Sequence, residues 1–150
     1  LCEQNVLREP LLYLSLYFKE HRQYYYELLN TVRAAGDWEE WLQFFAEAVT
    51  ETATQGVASI NALAQMAVAD KAAIARLGRA APSVEKIHAA MLERPVVSAG
   101  WLAEKTSLTP ATVNKSLSHM ESLGIIRQLG NGKRNRLFAY SQYMQILNDK

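Results

Sequence analysis

Residues of the types that carry out catalysis are few in this sequence and widely spaced. The three histidines, His21, His88 and His119, stand far apart along the chain. The single cysteine, Cys2, excludes an intrachain disulfide and the paired thiolates of most zinc sites. No serine or cysteine has the neighbouring base that nucleophilic catalysis requires in a recognisable motif. The residues alone therefore predict no catalytic site and no metal site, and we interpret His88 and His119 as packing or helix-surface residues.

A glycine-rich basic stretch near the C-terminus suggests a different chemistry. The sequence "GNGKRNR", residues 130–136, lies between two apolar runs, "IIRQL" and "LFAY". Its glycines lack the spacing of a phosphate-binding loop and do not precede a helix, so we predict a β-hairpin with a basic tip. Lys133, Arg134 and Arg136 are then candidates to neutralise nucleic-acid phosphates.

The segment before this hairpin has the pattern of a DNA-reading helix. Thr109 followed by Pro110 is typical of a helix start, with a capping hydroxyl and a proline in the first turn. In a helix-turn-helix the second helix presents its early residues to base edges in the major groove. The predicted outward residues are Ala111 and four candidate DNA contacts, Thr112, Asn114, Lys115 and Ser118.

These side chains leave two interpretations open. Asparagine can pair with adenine, threonine can contact a thymine methyl group, and lysine can reach guanine or phosphate. However, this helix contains one lysine and no arginine, and winged helices also dock proteins. The residues are compatible with nucleic-acid binding and with pure protein contact.

The elements that would position these residues fall into two parts of different composition. Residues 1–80 contain seven Lys/Arg and ten Asp/Glu, a net charge of −3, whereas residues 81–150 contain nine and five, a net charge of +4. Pro82 lies at this change, after the small-residue run "LGRAA". We therefore predict two domains, 1–80 and 81–150.

The first domain is predicted to be helical throughout. Apolar residues at positions 18, 25, 28, 29 and 32 form a helical stripe, Gly36 is expected to end that helix, and Asp37 to cap the next. An alanine-rich helix, with a break near Gly56, is expected to lead to the second domain. The predicted inward face of the capped helix is Trp38, Trp41, Leu42, Phe45, Ala48, Val49 and Thr52.

The second domain is predicted to follow the order helix, short strand, helix, turn, helix and hairpin. Ser83 precedes the first helix, "VVS" at 96–98 is the short strand, Ser98 caps the second helix, and Gly124 ends the third. Residues 83–140 resemble the winged helix-turn-helix domains of bacterial transcription regulators. The predicted fold class is thus mainly α: a helical bundle segment and a winged helix-turn-helix with a small β-hairpin.

A second resemblance covers the first domain. The stretch "LLYLSLYFKEHRQYYYELLNTVRAAGDWEEWLQFFAEAVTETA", residues 11–53, resembles the segment that follows the active-site motif of bacterial Fic proteins, and "LCEQNVL" resembles the end of the helix that leaves that motif. Fic proteins transfer a nucleotide monophosphate, usually AMP from ATP, to a hydroxyl side chain of a target protein. Their signature, H-P-F-x-[DE]-G-N-G-R-x-x-R, does not occur here. The resemblance implies that this chain is a fragment of a longer parent enzyme and is not an enzyme by itself.

The same resemblance implies a nucleotide-binding role in the parent for two residues. The tyrosine pair that lies against the adenine side of the family's nucleotide site matches Tyr25 and Tyr26, although this chain has Arg33 where some relatives carry an asparagine. Tyr25 also lies on the predicted core stripe, so a packing role for it stays open. ATP and Mg²⁺ are implied as cofactors of the parent, and none is expected for this chain.

Three hypotheses follow for the function. The chain is the C-terminal region of a Fic AMP-transferase whose winged helix binds DNA; or that winged helix docks a protein target or a second subunit; or the chain is a freestanding transcription regulator. The expected partners are DNA, the parent's protein target and, for a homodimer, a second copy. The sequence contains no apolar run of the ~18 residues that span a membrane and no signal-peptide pattern, so we expect a cytoplasmic protein.

Overall fold

The computed structural model describes residues 14–130, 132 and 136–148. Within these residues the chain forms seven α-helices and one small antiparallel sheet, so the predicted mainly α fold with a β-hairpin is confirmed. The elements are α1 (Leu14–Glu20), α2 (Arg22–Ala35), α3 (Glu39–Ala75), α4 (Ala81–Glu93), β1 (Val96–Ser98), α5 (Ala99–Thr106), α6 (Pro110–Ser122), β2 (Ile126–Leu129), β3 (Leu137–Tyr140) and α7 (Ser141–Asn148).

The contacts divide the chain into two compact units, with the boundary between Ile60 and Asn61 inside α3. The last turns of α3 therefore belong to the second unit. The composition boundary at residues 80 and 81 stays a prediction of domain limits. Within the described ranges, no helix combines the length and the apolar character that crossing a membrane requires.

An aromatic cluster holds the first unit together. The ring of Phe18 on α1 lies 5.1 Å from that of Tyr25 on α2 and 5.8 Å from that of Phe44 on α3, between centroids. Trp41 joins the cluster, with its centroid 5.6 Å from Tyr25. Offset aromatic pairs at these separations add to the free energy gained by burying the rings. The cluster thus links the three helices of this unit.

The predicted inward face of α3 was partly wrong. Trp38 is 56% exposed and Leu42 is 59% exposed, whereas Phe44, which was not in the predicted face, is only 3% exposed. Neighbouring helical residues point about 100° apart, so an error of one or two positions moves the inferred face to solvent. The predicted break near Gly56 is also absent, because α3 continues through that residue.

The predicted signals between α2 and α3 are confirmed. Gly36 follows α2 with a left-handed backbone, φ 68°, and its N–H donates to the Val32 carbonyl. Asp37 Oδ1 then accepts a hydrogen bond of 3.0 Å from the Glu39 N–H at the start of α3. A carboxylate at a helix N-terminus satisfies a free donor and interacts favourably with the helix dipole.

The core of the second unit lies between α4, α5, α6 and the sheet. Hydrophobic side chains on each of these elements are fully or almost fully buried, and the last turns of α3 contribute two more. They include Met66, Ile74, Val84, Ile87, Met91, Val97, Leu102, Val113, Leu117, Met120, Ile126, Phe138 and Tyr140. Burial of this apolar surface is the main source of stability for the unit.

The sheet has the strand order β1-β3-β2, with β3 in the centre. Phe138 on β3 is opposite Val97 on β1 and Gln128 on β2, and both pairings are antiparallel. A helix, a short strand, two further helices and a hairpin, in this order, are the arrangement of a winged helix-turn-helix. We call the β2–β3 hairpin the wing. Helix α7, which was not predicted from the sequence, follows the wing.

A buried chain of hydrogen bonds ties the end of the wing to two helices. Tyr140, at the end of β3, is 0% exposed, and its hydroxyl donates to Asp70 Oδ2 on α3. The same hydroxyl lies 2.8 Å from His88 Nε2 on α4, which is 2% exposed. Since the hydroxyl has one proton and donates it to the carboxylate, His88 Nε2 must donate to the hydroxyl oxygen. His88 is thus a packing residue, as predicted.

Burial is the largest influence on the pKa values of His88 and Tyr140 in this chain of hydrogen bonds. Desolvation lowers the pKa of His88, with the Lys71 charge acting in the same direction and Asp70 and Glu85 opposing it. Burial also raises the pKa of Tyr140, and the hydrogen bond to Asp70 raises it further because the hydroxyl must keep its proton to donate. Both groups are therefore neutral near pH 7.

Candidate nucleic-acid interface

The turn between α5 and α6 sets the direction of α6. Ser107 ends α5 in the left-handed conformation, with φ 55°. Thr109 then caps α6, because its Oγ1 accepts a hydrogen bond of 3.2 Å from the Thr112 N–H, and Pro110 occupies the first helical position. The predicted helix start is confirmed. The predicted cap of α5 is also present, with Ser98 Oγ accepting from the Trp101 N–H at 3.2 Å.

One face of α6 is buried and the other is open. Val113, Ser116, Leu117 and Met120 point into the core of the unit. On the opposite face, Ala111, Asn114, Lys115 and Ser118 are exposed and Thr112 is half-buried. The structure thus brings together the four candidates on this helix. No carboxylate occurs on α6 before Glu121, so this face has no negative side chain of its own.

Asn114 is held by contacts within the unit. Its Oδ1 accepts a hydrogen bond of 2.6 Å from Arg136 Nη2, and its Nδ2 donates to the Pro110 carbonyl at 2.9 Å. A bidentate contact with adenine needs both the carbonyl oxygen and the amide nitrogen of the side chain. Asn114 could form it only by exchanging these partners.

The two hydroxyl groups on this face also form hydrogen bonds within the unit. Thr112 Oγ1 lies 2.9 Å from Thr109 Oγ1, and Ser118 Oγ donates to the Asn114 carbonyl at 3.1 Å. Lys115 differs from them, because its side chain forms no hydrogen bond or ion pair with any described residue. Of the four candidates, Lys115 is the one whose charged group is directly available to a ligand.

Of the three predicted basic residues in the wing, one can be placed. Arg136 immediately precedes β3, and its guanidinium lies 5.3 Å from the centroid of the Phe138 ring while it donates to Asn114. It therefore links the wing to the exposed face of α6. Lys133 and Arg134 lie outside the described residues.

A cleft beside α6 contains a basic residue that the sequence analysis did not identify. It has a volume of about 550 Å³ and is lined by the turn before α4, the first turn of α4 and one side of α6. Lys115 lies on the α6 side and Arg79, from the turn before α4, lies on the other. An arginine just before a helix start in the run "LGRAAPS" was the available signal.

His119 also lines this cleft. Its Nε2 is buried and has no hydrogen-bond partner among the described residues. Buried polar atoms normally have a hydrogen-bond partner, so this nitrogen is an exception in the second unit.

The two tyrosines implied in nucleotide binding lie side by side in the first unit. Their ring centroids are 5.3 Å apart, with Tyr25 half-buried in the aromatic cluster and Tyr26 51% exposed. The Arg22 guanidinium lies 5.6 Å from the centroid of the Tyr26 ring. Tyr25 therefore has the packing role that the core stripe predicted, and Tyr26 presents an accessible ring.

Within the described ranges, no three histidine, cysteine, aspartate or glutamate side chains come close enough together to hold a metal ion. No family model matches the sequence of this chain.

Proposed function

We propose that the second unit binds duplex DNA, with α6 in the major groove and the wing against the phosphate backbone. The observation that carries this proposal is the outward face of α6, which begins at the capped Thr109–Pro110 turn and contains Lys115 and no carboxylate before Glu121. Arg136 extends the positive charge of this face to the wing. A carboxylate-free face of this kind suits a polyanion.

Phosphate contacts are expected to provide most of the affinity. Three of the four candidate side chains on α6 are engaged in hydrogen bonds within the unit, and a bidentate base contact by Asn114 requires it to change partners. Lys115 needs no such exchange to meet a phosphate, and Arg136, which donates to Asn114, has further N–H donors. Lys115, Lys133, Arg134 and Arg136 are the four that we assign to this role.

The salt dependence of binding tests the proposal. If these four residues each neutralise one phosphate, the logarithm of the affinity falls with the logarithm of the salt concentration with a slope of about −3.6. Binding should then weaken roughly 100-fold between about 50 and 200 mM salt. Fluorescence anisotropy with a labelled duplex, measured across this range, gives the slope.

Substitutions locate the interface. Replacing Lys133, Arg134 and Arg136 together with alanine should weaken binding to all duplexes alike, because phosphate contacts are independent of sequence. Lys115→Gln should weaken it as well and reduce the slope by about 0.9. Lys86→Gln, on an exposed position of α4, is the matched control and should bind like the unmodified chain. Unchanged affinity in the triple variant would remove the wing from the interface.

A protein partner is the second candidate for the same face. The observation that favours it is the internal bonding of Asn114, whose amide is held by Arg136 and by the Pro110 carbonyl. A surface whose polar groups are already satisfied can be covered by a protein without an exchange of hydrogen bonds. No binding to duplex DNA at about 50 mM salt, where phosphate contacts are strongest, would favour this candidate.

For the first unit we propose the role implied by the Fic resemblance, as part of a cytoplasmic protein AMP-transferase. Residues 11–53 support the proposal, and the accessible ring of Tyr26 is compatible with a contact to the adenine of ATP in a parent that also uses Mg²⁺. A Fic signature encoded upstream of Leu1 in the same reading frame would support it. The chain by itself should not transfer AMP, and self-modification of the purified chain with labelled ATP would contradict that expectation.

A further inference from the structure

The cleft between α4 and α6 has the charge distribution of an anion site. Arg79 and Lys115 line it from opposite elements, and no carboxylate belongs to its lining. Both cationic side chains are exposed, and neither forms an ion pair with another described residue. An unopposed pair of positive charges across a cleft attracts anions and raises their local concentration.

The start of α4 adds to this positive potential. Ala80, the residue that caps α4, and Ser83, in its first turn, both line the cleft. The N-terminus of a helix carries a partial positive charge and binds phosphate groups in many proteins. Here the Ala81 N–H already donates to the Gly78 carbonyl and Pro82 has no N–H, so the start of α4 contributes its dipole to the potential and Arg79 contributes the hydrogen-bond donors.

The hydroxyls in the cleft are not the groups that would bind the anion. Ser116 Oγ donates to Ser83 Oγ at 3.3 Å, and Ser83 Oγ donates to the Ala80 carbonyl at 3.0 Å. Since each hydroxyl has one proton, both donors are already used. Arg79 and Lys115 are therefore the cationic donors that remain free, and His119 Nε2 in the same cleft also has no partner among the described residues.

We propose that this cleft is a phosphate-binding site, with Arg79 as a two-pronged donor to the phosphate oxygens and Lys115 as the second cation. The guanidinium fork matches phosphate geometry, whereas an ammonium group acts as a point charge. The volume of about 550 Å³ lies within the usual range for small-molecule sites. The phosphate has two possible sources, the DNA backbone, which rests on the function proposed above, or a free phosphorylated compound.

Arg79→Gln tests the site in the full chain with two probes, a labelled duplex and pyrophosphate. Arg76→Gln is the matched control, because Arg76 is exposed three residues away and does not line the cleft. Calorimetry measures pyrophosphate binding, and anisotropy across a salt series measures DNA binding. Thermal unfolding of each variant checks that the exposed substitution leaves the fold intact.

The DNA-binding and pyrophosphate-binding measurements together distinguish between the two possible sources of the phosphate. With a backbone phosphate in the cleft, Arg79→Gln weakens DNA binding several-fold and reduces the salt slope by about 0.9, whereas Arg76→Gln does not. With a free phosphorylated compound as the source, Arg79→Gln abolishes pyrophosphate binding and leaves DNA binding unchanged.

The outcomes also separate this inference from the function proposed above. If the unmodified chain binds pyrophosphate but not DNA, and Arg79→Gln removes the pyrophosphate binding, then the phosphate site is supported and the DNA-binding function is refuted. The site is overturned if Arg79→Gln matches Arg76→Gln in both arms, or if the unmodified chain binds neither probe.

Discussion

Replacing Tyr140 with phenylalanine should destabilise the second unit without changing its shape. The ring is fully buried, and phenylalanine retains its apolar contacts, so the substitution leaves empty only the space of one oxygen atom. It removes only the hydroxyl that joins Asp70 to His88. The variant therefore isolates the contribution of one oxygen atom.

The magnitude follows from the two partners that lose the hydroxyl. A hydrogen bond to a charged group contributes roughly 1.5–3 kcal/mol, but Asp70 is only half-buried and water can replace part of it. His88 is 2% exposed, and an unsatisfied N–H at such a site costs about 1–3 kcal/mol. We expect the free energy of unfolding to fall by about 2–4 kcal/mol.

Urea denaturation followed by tryptophan fluorescence measures this change. Trp101 is the only tryptophan of the second unit, so Trp38 and Trp41 are first replaced with phenylalanine to make the signal specific to that unit. Tyr143→Phe is the matched control. Tyr143 is half-buried on α7 with its ring 5.8 Å from that of Tyr140, and its hydroxyl bonds no described side chain. It should change the stability by less than about 0.5 kcal/mol.

Two results would refute the reasoning. A Tyr140→Phe variant as stable as the control variant would show that the hydroxyl contributes nothing net. In a double-mutant cycle, Asp70→Asn and Tyr140→Phe should couple by about 1 kcal/mol or more, because contacting residues are not additive. Additive effects would mean that the two side chains do not interact in solution.

Three further predictions concern the second unit. Because burial lowers the pKa of His88, the unfolded chain takes up a proton below about pH 6.5 before the folded chain does, so stability should fall with decreasing pH. His88→Gln should flatten that dependence in denaturation curves between about pH 7.5 and 5.5, and an unchanged slope would contradict the assignment. Thr109→Ala should cost about 0.5–2 kcal/mol, measured by urea denaturation, since it removes the cap of α6. Ser107→Gly should instead stabilise the unit by about 0.5–1 kcal/mol in the same assay, because glycine adopts φ 55° without strain.

Signals within a few residues of each other were sufficient to locate several helix ends, although α4 begins at Ala81 and not after Ser83 as predicted. Thr109 and Pro110, Ser98, and Gly36 with Asp37 each fix a local backbone geometry through their own side chain or its absence. The local chemistry of these residues does not depend on the rest of the fold. The order of elements in the second unit could be predicted for the same reason.

By contrast, the buried face of α3 was predicted only in part. Aromatic residues occur at positions 38, 41, 44 and 45, and they are too dense to define a single face by their spacing. The packing of α1 and α2 decides that Phe44 is buried and Trp38 is exposed. This is tertiary information, which periodicity along one helix does not contain.

The hydrogen bonds between side chains of the candidate interface could not be predicted from the sequence either. Arg136 and Asn114 are 22 residues apart, and Asp70 and Tyr140 are 70 apart. Only the folded chain brings such pairs together. The sequence could predict that Asn114 faces outwards, but not that its amide is already engaged, nor that Arg79 and Lys115 line one cleft.

The strand order has a consequence for the synthesis of the protein. Because β3 is both the central strand and the last of these three along the chain, β1 has no partner in this sheet until residues 137–140 have left the ribosome. The backbone groups of Val96 and Ser98 must wait for a partner about forty residues downstream, and non-local pairing of this kind slows folding. The second unit is therefore expected to complete its sheet late in translation, and a chain that stops within the wing should expose the core rather than form a smaller stable domain.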